Sequence, residues 1–103
     1  MAKEQIDEGR PNDALLHLDA AVARSPEYGE ARLRRCVLFA ALGRSQDALH
    51  DWLVLERPHQ NRTAATKAQV DFMASTLEKE FEGHRDANAS LLIRLERDRK
   101  GFP

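Results

Sequence analysis

The sequence predicts an all-α protein built from antiparallel helix hairpins, and three observations carry that expectation. The segment Gly9-Arg10-Pro11-Asn12-Asp13-Ala14-Leu15 returns as Gly43-Arg44-Ser45-Gln46-Asp47-Ala48-Leu49, with five of seven positions identical and a spacing of 34 residues. Self-similarity at a fixed period of this size marks a repeat array. Apolar residues between the glycines and prolines recur at intervals of three and four, the period of an amphipathic helix. The four prolines and five glycines fall between those periodic stretches rather than within them, as punctuation.

In chain order, Ala2–Glu8 holds good helix formers and reads as a two-turn helix stopped by Gly9. Pro11 suits the first turn of the next helix, where a missing N–H costs nothing. Its stripe is Ala14, Leu15, Leu18, Ala21 and Val22, ending near Arg24. Ser25-Pro26-Glu27 then offers a hydroxyl cap, a first-turn proline and an acid at the positive end of the dipole. The helix it starts is expected to reach Leu42, with Leu33, Cys36, Val37 and Ala40 on one side and Phe39 and Leu42 beside them. Gly43 ends it, and Ser45 is positioned to cap a helix from Gln46 to Glu56 with the stripe Ala48, Leu49, Trp52, Leu53 and Leu55. Beyond Pro58 and the polar stretch His59–Arg62, Thr63 or Asn61 can cap a long helix carrying Val70, Met73, Leu77 and Phe81 and ending at Gly83. Asp86 can cap the last helix, Ala87 to about Lys100, with Leu91, Leu92 and Leu95 inward.

Composition narrows the function classes. At 103 residues, with 42% hydrophobic and 32% charged residues, the chain fits one helical domain rather than a disordered one. A net charge of −1 gives no global attraction to nucleic acid or an anionic membrane, and no basic stripe interleaved with aromatics is present. The longest apolar run, Cys36–Leu42, is far too short to cross a bilayer, and the polar stretch Met1–Arg10 does not read as a secretory signal. The single cysteine excludes an internal disulfide and fits a reducing, cytoplasmic setting.

Chemistry-bearing clusters are absent from the pattern. His17, His50, His59 and His84 form no four-apart pair and no pair with Cys36, so no metal or cofactor is expected. Cys36 reads as a small buried residue at a helix crossing, because nothing near it in sequence supplies a base. Trp52 stands where the earlier copy has Leu18 and reads as core. Arg32, Arg34 and Arg35 read first as a solvated face paired with Glu30 or Glu27, and second as a patch for an acidic partner segment. The mixed charges from Arg94 to Lys100 read as the solvated face of a terminal cap. An enzyme is not expected.

A helix pair repeating every 34 residues, with Gly43 after Phe39, a second helix carrying Ala48, Trp52 and Leu55, and Gly9, Ala14, Leu18, Ala21 and Pro26 in the other copy, resembles the tetratricopeptide repeat. The resemblance implies a right-handed superhelix of about five helices. It divides the chain into a truncated first repeat (about 1–26), a complete repeat (27–62) and a degenerate third helix pair or cap (63–103). Arg32 and Arg35 occupy positions where the family usually has apolar residues. Either the helix turns Leu33, Cys36, Val37 and Ala40 inward, or the arginines lie where no preceding helix covers them.

The resemblance further implies a non-enzymatic scaffold or adaptor that binds a protein or peptide partner in a groove formed by the first helices. Mapped here, the groove candidates are Ile6, Glu30, Leu33, Arg34, Val37 and Ala40. The carboxylate clamp of chaperone-binding members is not reproduced, since its places in the complete repeat hold Leu33, Arg34 and Val37. The alternative is self-association as a homo-oligomer, or docking inside a larger protein.

Overall fold

Residues 11–102 are described by the structure, a computed structural model, and the short helix expected over Ala2–Glu8 lies outside them. Among the described residues five α-helices follow one another: α1 (Pro11–Arg24), α2 (Gly29–Ala41), α3 (Ser45–Leu55), α4 (Lys67–Lys79) and α5 (Ala89–Lys100). No strand is present among them; the one β-bridge, His59 with Arg62, closes the turn before α4.

Helix α2 is the centre of the stack. Its Leu38 packs with Ala14 and Leu18 of α1, while Leu33, Cys36, Phe39 and Ala40 enter the main core with Ala48, Trp52 and Leu55 of α3. The inward turn expected for Leu33, Cys36 and Ala40 is what the structure has. Leu38, outside the predicted stripe, is buried because a helix with neighbours on both sides needs two apolar faces.

The α2–α3 corner follows from Gly43. Its φ of 75° is the left-handed conformation that glycine adopts without a Cβ clash. The Arg44 N–H then reaches the Phe39 carbonyl at 2.8 Å and the Gly43 N–H reaches Ala40 at 3.1 Å, closing the helix in a Schellman motif. A Cβ on Gly43 would stand 3.1 Å from His84 Nδ1, so the turn before α5 also leans on this glycine.

Several predicted caps are displaced. Ser25 does not cap α2: its carbonyl accepts from the Tyr28 N–H at 3.0 Å in a turn, and the helix starts at Gly29. That glycine leaves room for Arg62, whose Cδ would sit 3.1 Å from an added Cβ. Ser45 is the first residue of α3, with Arg44 in the cap position. Neither Asn61 nor Thr63 caps α4. Thr66 does, in a capping box where its hydroxyl accepts from the Gln69 N–H (3.2 Å) and the Gln69 side chain accepts from the Thr66 N–H (2.9 Å).

The preceding residues are held elsewhere. Arg62 folds back to donate to the carbonyls of Val54 (2.9 Å), Leu55 (3.1 Å), Arg57 (3.0 Å) and Thr63 (3.1 Å), closing the C-terminal end of α3. Helix α4 stops at Lys79, short of Gly83, which lies in a 3₁₀ turn (Glu82–His84). The last helix begins after Asn88 rather than Asp86. The fully buried Asn88 amide donates to the Ala40 carbonyl at 3.0 Å, anchoring the start of α5 to the end of α2.

The terminal pair closes the core from the other side. Helices α4 and α5 pack together, and α5 is the one that lies along α3. Val70, Met73 and Leu77 of α4 meet Leu91 and Leu95 of α5 over Trp52 and Leu55. No described helix is long and apolar enough to cross a membrane.

Candidate functional site

A buried carboxylate organises the polar side of α2. Asp51 sits one turn beyond Ala48 on the inner face of α3, with its side chain 1% exposed. It accepts from Arg35 Nε at 2.8 Å and Nη2 at 2.7 Å, a two-pronged pairing, and from Arg32 Nη1 at 3.3 Å. Arg35 Nη1 continues to Asp19 on α1 at 2.9 Å. One carboxylate and two guanidiniums thus tie α1, α2 and α3 together.

The electrostatics follow from that geometry. Hydrogen bonding to Asp51 raises the Arg35 pKa against the opposing effect of burial, so its charge is fixed. The Phe39 ring takes the cation of Arg44 at 4.7 Å and that of Arg35 at 5.7 Å. Burial pushes the Cys36 thiol well above its usual range, with the nearby Asp51 charge adding to it, and the thiol donates to the Ala48 carbonyl at 3.2 Å. That environment disfavours a thiolate nucleophile. Among the described residues no group of three His, Cys, Asp or Glu side chains converges as a metal site would require.

The expected solvated basic face is therefore split. Arg34 is exposed and pairs with Glu30 one turn away at 3.1 Å, as predicted. Arg32 and Arg35 are largely covered, because the carboxylate that compensates them comes from a different helix. Asp51 was legible in principle. Ala48, Asp51, Trp52 and Leu55 follow the i, i+3, i+4, i+7 spacing of a buried stripe, and an acid on such a stripe calls for a cation opposite.

The groove candidates separate in the same way. Leu33 and Ala40 are buried in the main core, where they support α2 from within. Glu30, Arg34 and the half-buried Val37 lie on the remaining strip of the helix, continued by Ala41 at the spacing i, i+4, i+7, i+11. Ile6 lies outside the described residues.

A second polar cluster joins α5 to α3. The buried Trp52 indole donates to Asp98 at 2.7 Å, and Arg94 clasps Glu56 with Nε at 2.9 Å and with Nη2. Arg94 and Asp98, expected on a solvated face, are drawn inward. A buried indole N–H needs an acceptor, and Asp98 supplies it. Arg97 and Lys100 stay exposed, as expected.

Residues 5–50 match the family model described as tetratricopeptide repeat, so the chain carries that repeat through α1, α2 and the first half of α3. No curated protein and no solved structure shows significant similarity to the chain. The tetratricopeptide repeat is generally an interaction repeat rather than an enzyme, which makes a protein partner the broad expectation.

Proposed function

We propose that this repeat-bearing chain is a non-enzymatic binding module whose peptide-contacting surface is the outward strip of α2. The observation that supports the reading is the use of both flanks of α2. One is packed on α1 and the other on α3, while Glu30, Arg34, Val37 and Ala41 remain available in a line. A helix clamped on two sides and cross-linked through Asp51 is preformed, so a partner would bear little ordering cost for the receptor. Leu33 and Ala40 act as the support of this surface and not as contacts. The alternating acid, base and apolar residues suit an extended peptide or helix with its own mixed charge.

The test uses peptides selected by display on the intact chain. Exchanging the pair as Glu30→Arg with Arg34→Glu keeps an i,i+4 pair and leaves stability within a few tenths of a kcal/mol. Peptide affinity is expected to fall about tenfold or more, close to 1.4 kcal/mol. Val37→Ala is expected to weaken binding as well. Unchanged affinity in both variants, with the fold intact by circular dichroism, would remove α2 as the site.

Self-association is the second reading, and exposed apolar residues on the terminal helix pair favour it. Ile93 of α5 is 70% exposed and Phe72 of α4 is 51% exposed. A sedimentation-equilibrium mass that rises with concentration and reverts to the monomer in Ile93→Lys would support it. A constant monomer mass would oppose it.

A further inference from the structure

The peptide-binding reading makes no use of the cluster between α3 and α5. Its members are Trp52 and Glu56 at the end of α3, and Arg94 and Asp98 on α5. We propose that Glu56 and Asp98 share one proton and form a pH-sensitive latch, fastening the terminal helix α5 to α3 while that proton is bound and loosening it when the proton leaves.

Charge counting motivates the proposal. The cluster contains two carboxyl groups, with side chains 11% and 18% exposed, and a single guanidinium between them. Arg94 commits both of its donors to Glu56 and comes only to 3.9 Å from Asp98 Oδ1. Asp98 is left with the neutral indole of Trp52 at 2.7 Å. Arg57, just beyond α3, is the other charged group acting on Glu56. Fully ionised, the cluster holds one negative charge in excess in a partly dry contact. Two carboxyl groups within reach of each other relieve such an excess by keeping one proton.

The two acids are driven apart. Burial pushes Asp98 up, and the neighbouring Glu56 carboxyl adds to the rise against the indole hydrogen bond. Burial also works to raise Glu56, but the hydrogen bonds from Arg94 and Asp98 outweigh it and leave Glu56 below its ordinary value. An acid with a raised folded-state pKa contributes stability that is complete below its unfolded value and lost as pH rises through the folded one. The lowered Glu56 contributes stability that is lost as pH falls through its own folded value. The latch is thus tightest between the two and loosens on the alkaline side as Asp98 ionises. Undocking uncovers Trp52, Leu55 and Leu95, which are buried when α5 is seated.

Trp52, the only tryptophan in the chain, reports on the latch because its indole is bonded to the titrating group. Emission of the full chain is followed from mildly acidic to alkaline pH. The expected result is a single step with a midpoint above the ordinary Asp value of about 3.9, absent from both Asp98→Asn and Glu56→Gln. A step of equal size and midpoint in Asp98→Asn would overturn the proposal, as would flat emission from the native chain. If the variants fail to fold, carbon-13 NMR of the native carboxyl groups reads the same proton directly. An Asp98 signal titrating at or below the ordinary value would then be decisive against it.

Discussion

Removing the Asp51 carboxylate is the perturbation whose consequence the structure fixes most closely. Asp51→Ala deletes an acceptor that is 1% exposed and takes three hydrogen bonds, at 2.7, 2.8 and 3.3 Å. It leaves the guanidiniums of Arg32 and Arg35, 12% and 17% exposed, against an apolar wall without a counter-charge. Breaking one side of a buried ion pair costs about 3–5 kcal/mol, because the surviving charge keeps its desolvation penalty and loses its partner. Domains of this size are stable by about 5–15 kcal/mol in total. At roughly 4–8 °C per kcal/mol, even a loss of about 3 kcal/mol lowers Tm by roughly 12–24 °C. The remaining partner of Arg35, Asp19, is 49% exposed and offsets little of this. Urea unfolding at neutral pH, read by circular dichroism and Trp52 emission, measures the loss. Replacing Arg32, Arg35 and Asp51 together by leucine is expected to recover most of it, since an apolar triad carries no desolvation penalty. An Asp51→Ala protein within about 0.5 kcal/mol of the parent, the range of an ordinary surface substitution, would refute the assignment.

Two further substitutions probe the corners that set the fold. Gly43→Ala places a Cβ at φ 75° and 3.1 Å from His84 Nδ1, and is expected to cost about 1–2 kcal/mol by urea titration. Thr66→Ala removes one half of the capping box on α4 and is expected to cost about 0.5–2 kcal/mol, while Thr63→Ala is near neutral in the same assay.

The sequence reading succeeded where periodicity and repeat spacing govern and failed where side chains settle the matter across helices. Gly43, the α2–α3 hairpin and the burial of Trp52 follow from local pattern and from the repeat of 34 residues. The caps of α2, α4 and α5 did not follow. Arg62 closing α3 and Asn88 reaching Ala40 are long-range contacts that commit the intervening residues to turns. A hydroxyl or carboxyl residue ahead of a helix is a candidate cap only if nothing else holds it, and sequence spacing does not show what does. The arginines of α2 looked misplaced for the same reason. Their partner Asp51 lies 19 and 16 residues away, on a helix whose apolar stripe obscured the acid within it. The Trp52–Asp98 bond spans 46 residues and left no local trace. Within the candidate site, the helix was legible but the division of its face was not. Leu33 and Ala40 share the family positions of Arg34 and Val37, yet a helix with two packed flanks retains only one strip for solvent.

Titrating a display-selected peptide into the nitrogen-15-labelled full chain tests that strip most directly. The account predicts that the largest amide shift changes fall on Glu30, Arg34, Val37 and Ala41, with α4 and α5 nearly unmoved. Shifts centred instead on Ala74 and Leu92, which line the cleft between α4 and α5, would contradict it.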